Sequence, residues 1–297
     1  MKHKSKGFFA LDVLYLALTI IPLVVGIVIK VLTTPPQGEG VSISGALIYF
    51  EIPMPIQNLV ITESQINSWF VMIAILGLCL YMTHGLNAKI PTKRQHIAEM
   101  CVQMCDKMVI GNMGEYFAGF SPFIAAILSL SAFSSLIALL GLYAPTSDIN
   151  IVGGWALLVF ILITYYKLKC GPLLYIKNLA NPIPMAPLNL IGEFATPISM
   201  AFRHYGNVLS GSVISVLLAT GLGGLSNMLL GWLPGFLGEF PFLRIGIPGI
   251  LSIYFDVFSG ILQAYIFAML TMLYIAGGFP IEEYFKRKSN KTKKQTI

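Results

Sequence analysis

Arg203 is the residue in this sequence whose type and position most directly suggest a chemical role. It lies about halfway along the expected helix 187–220, in a block of mostly small and apolar residues that extends to 230. An arginine near mid-membrane costs about 2.5–3.5 kcal/mol on insertion scales, and its guanidinium group cannot lose its proton to escape that cost. Pairing with Asp256 or Glu193 would make it structural, but each carboxylate lies roughly 10–15 Å away along the helix axis. We therefore predict a functional positive charge.

A stripe of small and polar residues surrounds this arginine on one helical face, because its members recur at intervals of three and four. Such a stripe is either a surface for close helix packing or a seam that faces water or a partner. The arginine within it favours the second interpretation. The stripe consists of Gly192, Thr196, Ser199, Arg203, Gly206, Asn207 and Ser210.

A second polar stripe lies on the final apolar block, which we expect to return antiparallel to the first. This arrangement places Gln263 level with Arg203, and it places Asp256 nearer the outside of the cell. Glu193, ten residues before Arg203, lies nearer the cytoplasm. One acidic group on each side of a fixed positive charge suits two ion-access paths that the charge keeps apart. The second stripe consists of Ser252, Asp256, Ser259 and Gln263.

The elements that position these residues are membrane-spanning helices. Of 297 residues, 56% are hydrophobic and only 11% are charged, against about 25% charged residues in a soluble domain. Several apolar blocks approach the roughly 20 residues that a helix needs to cross a bilayer. The sequence therefore predicts an all-α polytopic membrane protein. Its six expected spans lie near 8–32, 69–86, 117–143, 151–170, 187–230 and 242–278.

The last two blocks are too long for upright spans. A helix over 187–220 would be about 50 Å long, against a hydrocarbon core of about 30 Å. We predict two long, tilted, antiparallel helices, the first ending at the Gly221, Gly223, Gly224 run and the second covering 248–278.

The segment 94–113 differs in kind from the spans. Ile97, Cys101, Met104 and Met108 share one helical face, and the polar residues around Gln95 share the opposite one. This pattern predicts an amphipathic helix that lies in the membrane interface.

The distribution of lysine and arginine predicts that both termini are cytoplasmic. In that orientation 16 of the 19 basic residues fall inside, Lys30 and Arg244 fall outside, and Arg203 lies within the membrane, as expected from the positive-inside rule. The basic residues within 286–294 are then an orientation signal, and no nucleic-acid partner is expected. The four cysteines form neither a disulfide framework nor a zinc pattern, so no metal or cofactor is expected.

Two other classes of membrane protein fit the sequence less well. A free-standing secondary transporter or channel could use Arg203 as a substrate counter-ion, but such proteins often show internal repeats, and no convincing self-similarity is visible. An intramembrane enzyme would need a catalytic constellation, and the sequence has no HExxH motif, nucleophile elbow or phosphate-binding glycine loop.

Three runs of residues resemble subunit a of the F-type ATP synthase. Pro197–Asn207 resembles that family's proline–serine–arginine–glycine–asparagine signature, and Leu262–Phe267 resembles its last-helix glutamine motif. Pro145–Asp148 resembles its loop between the third and fourth spans. The likeness extends in order over 58–280. It implies a membrane domain over 58–280, preceded by an additional span and extracytoplasmic loop over 1–57 and followed by a basic tail over 281–297.

The resemblance implies a role for each site residue. Arg203 would face a rotating c-ring whose helical hairpins carry mid-membrane carboxylates, and it would prevent an ion from passing straight between two half-channels. Asn207 and Gln263 would hydrate and position that encounter. Asp256 with Ser212 would line the outer half-channel and Glu193 the inner one. The implied ion is H⁺ or Na⁺, the other partners are the subunit b peripheral stalk and membrane lipids, and the chain is not catalytic alone.

Three positions depart from the family pattern. His204 stands where leucine is usual, Ser212 stands where an acidic residue or histidine is common, and Ser135 stands where asparagine is frequent in the third span. Because His204 lies about 100° around the helix from Arg203, we expect it to have a packing or interfacial role rather than that of a relay. The resemblance places the protein in a bacterial cell membrane as a multi-pass chain.

Overall fold

The computed structural model describes residues 6–33, 45–55, 58–86, 91–180, 182–232, 247–251, 253–279, 281 and 284–285. Within them, six helices are long and apolar enough to cross a membrane, and the only sheet is a short hairpin. The all-α polytopic prediction is therefore confirmed. The helices are Phe8–Thr33, Glu63–Thr83, Glu115–Leu140, Ile149–Cys170, Ala186–Leu229 and Ile247–Gly277. Ser252, Arg244 and the basic positions of 286–294 lie outside the described residues.

The first two helices, α1 (Lys6–Thr33) and α2 (Glu63–Thr83), pack closely side by side. A Cβ at Gly77 would lie 2.8 Å from the backbone nitrogen of Thr19, so only glycine permits this approach. Ion pairs join α1 to its neighbours near both of its ends. Lys30 pairs with Glu63 at 3.3 Å, and Asp12 pairs with Arg94 at 2.9 Å.

A β-hairpin precedes α2 and was not predicted. Its strands, β1 (Ile48–Ile52) and β2 (Leu59–Thr62), pair antiparallel, with Phe50 opposite Ile61 and Glu51 opposite Val60. The β-branched and aromatic residues of both strands explain the extended conformation. We call this side of the molecule the hairpin end, together with the loop 141–148.

The amphipathic segment forms α3 (Lys93–Met113), as predicted. The structure buries Gln95 against the bundle and leaves Ile97 and Met104 exposed. An apolar face need not point toward the protein when lipid is its alternative surroundings. We call the side of the molecule that carries α3 the opposite end.

The core lies between α4 (Ser121–Leu136), α5 (Ile149–Cys170) and the last helix, α8 (Gly260–Gly277). Helices α4 and α8 approach closely because Gly260 has no side chain, and a Cβ there would lie 2.7 Å from Cβ of Ser135. The buried core residues include Val109, Phe117, Ile124, Val159, Met200, Phe267, Met272 and Ile275.

A short helix, α6 (Pro172–Leu179), leads into α7 (Ala186–Leu230). The helix was predicted to end at the glycines at 221, 223 and 224, but these residues do not end α7. The helix continues through these glycines, so its total length is 45 residues, or about 67 Å at 1.5 Å per residue. Glycine is tolerated inside helices in lipid, where no water competes for the backbone hydrogen bonds.

The returning segment contains a π-helix, Ile253–Ser259, directly before α8. A regular helix was predicted there. Because π-helical hydrogen bonds join residues five apart, the segment is wider than an α-helix, and such segments often occur at functional sites. Asp256 lies within it.

Candidate ion-translocation site

Two contacts define the register between α7 and the returning segment. A Cβ at Gly211 would lie 3.1 Å from the Phe255 side chain, and Asn207 Nδ2 donates a hydrogen bond of 2.7 Å to Ser259 Oγ. Moving four residues back along α7 therefore corresponds to moving four residues forward along the returning segment. The next step places Arg203 level with Gln263, as the antiparallel arrangement predicts.

Arg203 is exposed on the surface of α7. Within the part of the chain that the structure describes, its guanidinium group makes no hydrogen bond or ion pair. Glu193, one of the two carboxylates considered as its structural partner, is instead paired with Lys167. A permanent charge is therefore presented outward from the middle of an apolar helix.

The stripe around Arg203 is open. Ser199 and Ser210 are exposed, and a Cβ added at Gly192 or Gly206 would meet nothing within 4 Å. Close packing against another helix of the described chain therefore does not explain these small residues. At these positions the face is uncovered by the described residues.

Asn207 and Gln263 lie beside the seam between α7 and α8. The Asn207 amide is engaged with Ser259, and Gln263 is 5% exposed. Gln263 therefore lies inside the bundle, whereas Arg203, at the same level, faces outward.

Asp256 and Ser212 lie at neighbouring levels, because Gly211 contacts Phe255. Asp256 is half-buried. Ser212 is exposed, and its hydroxyl donates to the carbonyl oxygen of Leu209 at 2.8 Å, within its own helix. The structure thus brings the two residues near one level without a hydrogen bond between them.

Glu193 forms a two-pronged ion pair that sequence reasoning did not foresee. Lys167 Nζ donates to both carboxylate oxygens, at 2.6 and 2.7 Å. The Lys167 stem packs at the end of α8, 3.0 Å from where a Cβ of Gly278 would lie. On α6, burial and the nearby Glu193 charge raise the pKa of Tyr175. The sequence feature that could have indicated this ion pair is Lys167 itself, a lysine in the last turn of an apolar span.

His204 is completely buried beside the exposed arginine. Its ring packs edge-on against Trp155 and Phe267, with centroids 6.1 and 5.5 Å away. The packing role expected from the sequence is therefore present. The ring also forms a hydrogen bond, because His204 Nε2 lies 3.3 Å from Ser131 Oγ.

A buried polar cluster at the hairpin end was missed by sequence reasoning. Glu63 is 3% exposed; it pairs with Lys30 and accepts a hydrogen bond of 3.4 Å from the backbone of Tyr143. Ser64 donates to the carboxylate of Asp148. These residues are far apart in the chain, so only the tertiary fold reveals the cluster.

The matching sequence family is described as ATP synthase A chain, and its model covers residues 65–276. Subunit a of the ATP synthase from Desulforamulus reducens is 32% identical over 218 residues, which are 72% of this chain and 78% of that protein. The sodium-ion-specific subunit a from Propionigenium modestum is 26% identical over 286 residues, covering 85% of this chain and 90% of its own.

A third relative, subunit a from Legionella pneumophila, is 27% identical over 231 residues, covering 77% of this chain and 91% of its own. The family model spans the helices that carry Arg203, Glu193 and Gln263. This result favours an ATP synthase subunit over a free-standing transporter or channel. With its six apolar helices, the chain belongs to the ATP synthase subunit a family, as a multi-pass membrane subunit of the bacterial type.

Proposed function

We propose that this chain is the ion-conducting stator of an F-type ATP synthase and that Arg203 faces the rotating c-ring. The observation that carries the proposal is the exposed, unpaired guanidinium group on an open stripe of α7. A mid-membrane arginine requires a compensating negative charge. Ring carboxylates would supply one charge after another as the ring turns.

The mechanism follows from the cost of moving charge into lipid. A ring carboxylate cannot rotate into the hydrocarbon while ionised, so it must first load a cation. Arg203 attracts the carboxylate that has just released its ion, and its fixed charge prevents a cation from crossing directly to the other side. The membrane potential contributes about 2.3 kcal/mol per charge per 100 mV to this cycle.

Two half-channels meet at this arginine. Asp256 and Ser212 line the outer one, toward the hairpin end, and Glu193 lines the inner one, toward the opposite end. Asn207 and Gln263 position the encounter between the arginine and the ring carboxylate. In this orientation the hairpin is extracytoplasmic and both termini are cytoplasmic, in keeping with the lysine and arginine distribution.

The proposal also assigns the partners. The open stripe of α7 meets the c-ring, the subunit b peripheral stalk holds the chain against rotation, and lipid covers the remaining apolar surface. The segments 1–57, 58–280 and 281–297 serve as additional span with loop, membrane domain and cytoplasmic tail. The chain itself does no bond chemistry, and the transported ion is H⁺ or Na⁺.

The test is ion flux in vesicles that contain the whole complex. Arg203→Ala should abolish ATP-driven pumping and open a passive leak, since the seal between the half-channels is lost. Arg203→Lys should also lose pumping, because an ammonium group lacks the planar two-pronged geometry of guanidinium. Thr220→Ala, farther along α7 and outside the stripe, is the matched control, because that exposed hydroxyl donates to the carbonyl oxygen of Val216 in its own helix. Full coupled pumping by Arg203→Ala would refute the proposal.

A further inference from the structure

A column of buried polar side chains runs inside the helix bundle from the hairpin end to the middle of α4. Thr146 Oγ1 lies 3.3 Å from Ser135 Oγ, and Ser131, one turn away on α4, lies 3.3 Å from His204 Nε2. None of these four residues is more than 3% exposed. The column thus ends on the residue next to Arg203.

A purely structural role accounts for the hydrogen bonding of Ser135 but not for that of His204. The hydroxyl of Ser135 is satisfied within its own helix, because it donates to the backbone carbonyl of Ser131 at 3.2 Å, as serines in membrane helices commonly do. In contrast, His204 Nδ1 is buried and has no hydrogen-bond partner among the described residues. A buried polar atom without a protein partner is costly unless water satisfies it.

The outer end of the column lies next to a carboxylate. Thr146 is two residues from Asp148, whose side chain accepts hydrogen bonds from Ser64 and from the backbone of Asn150. Asp148 is half-buried. An acidic group at the mouth attracts cations, whereas the interior of the column contains only hydroxyl groups and an imidazole.

We propose that this column is a proton path of the outer half-channel and that His204 is its last protein relay before the ring carboxylate. The proposal rests on the proposed function and specifies its path and its ion. A proton passes from Asp148 along Thr146, Ser135 and Ser131, with a water bridging the single turn between the two serines.

The relay step conserves charge. The imidazole accepts a proton at Nε2 and releases the one on Nδ1 to the water that this nitrogen requires, so the ring is neutral before and after each passage. That water passes the proton to the deprotonated carboxylate of the rotor. The ring then returns from the Nε2–H to the Nδ1–H tautomer by proton exchange with water before it relays the next proton. Between Thr146 and His204 the column consists of hydroxyl groups and an imidazole, which can both donate and accept a proton in a hydrogen bond. The path therefore conducts H⁺.

The first experiment measures passive H⁺ flux through the membrane sector of the assembled complex, in vesicles free of Na⁺. His204→Leu should lower the flux at least about tenfold. This threshold is set below the factor of about 10²–10⁴ by which a positioned proton-transfer group accelerates a reaction. His204→Gln should fail to restore it, because an amide hydrogen-bonds but does not exchange protons in this way. Ser131→Ala should also lower the flux. Ser129→Ala is its matched control, since among the described residues that hydroxyl donates to the carbonyl oxygen of Ala126 in its own helix.

The second experiment does not require removal of the histidine. Cys79, Cys101, Cys105 and Cys170 are replaced by alanine, and cysteine is then introduced at Ser135 or at Phe133, which is 42% exposed on the same helix. Silver ion added from the outside should block flux through Ser135→Cys and leave Phe133→Cys unaffected, because only the first lies in an aqueous path.

The outcomes separate this inference from the proposed function. Normal flux in His204→Leu, or no effect of silver on Ser135→Cys, overturns the path while loss of pumping in Arg203→Ala still supports the stator function. Retained pumping in Arg203→Ala refutes the stator function itself. Flux that persists only when Na⁺ is supplied overturns the assignment of H⁺.

Discussion

The ion pair between Lys167 and Glu193 should stabilise the contact between α5 and α7 by a measurable coupling energy. Lys167→Met removes the charge and keeps the apolar stem, and Glu193→Gln keeps the shape of its partner. Exposed ion pairs contribute at most about 1 kcal/mol, and removing one partner of a buried pair costs about 3–5 kcal/mol. Side-chain exposures of 22% and 18% place this pair between those limits. We expect a coupling of about 1–3 kcal/mol, a factor of about 5–150.

The assay is a double-mutant cycle on the free energy of unfolding. The purified chain is titrated with a denaturing detergent in mixed micelles, and its tryptophan fluorescence reports unfolding. Each single variant should be destabilised, and the double variant should be less destabilised than the sum of the two. Lys169→Met is the matched control, because Lys169 lies against the rings of Tyr165 and Tyr166. Additive losses within about 0.5 kcal/mol would refute a direct interaction.

Two further variants test the access path and the packing of the first helix. Asp256→Asn should slow ATP-driven pumping without reducing assembly, because it removes the charge and keeps the side-chain volume; normal flux across the working pH range would remove Asp256 from the path. Gly77→Val should destabilise the chain by about 1–3 kcal/mol, the usual cost of overpacking, because its Cβ would collide with the backbone of Thr19. Gly153→Ala, which has open space around it, is the control, and equal stabilities would contradict the close approach of α1.

The spans and α3 could be predicted because hydrophobic length and helical periodicity are local properties of the chain. The position of Arg203 was informative for the same reason, since a charge inside an apolar block is visible without the fold. Periodicity alone did not decide which face of α3 points toward the bundle, because a membrane provides apolar surroundings for an outward apolar face as well. Gly221, Gly223 and Gly224 misled because glycine terminates helices far more readily in water than in lipid.

The side-chain partners could not be predicted because they depend on how distant helices are placed against one another. Lys167 and Glu193 are 26 residues apart, and Ser131 and His204 are 73 apart. Composition fixed neither the lateral order of the helices nor their vertical offset. The β-hairpin was missed because its short strands lie beside far stronger apolar blocks.

The π-helix has a consequence for how the returning chain divides its polar residues. In a regular α-helix Asp256 and Gln263, seven positions apart, would point in nearly the same direction. The wider turns of Ile253–Ser259 advance the chain through a smaller angle per residue, so the two side chains fall out of phase. Gln263 is accordingly buried while Asp256 remains half-exposed. The wider π-helical turns thus place Asp256 and Gln263 in separate surroundings. Deleting one residue from this segment would restore regular helical winding and turn the two side chains back toward a common face.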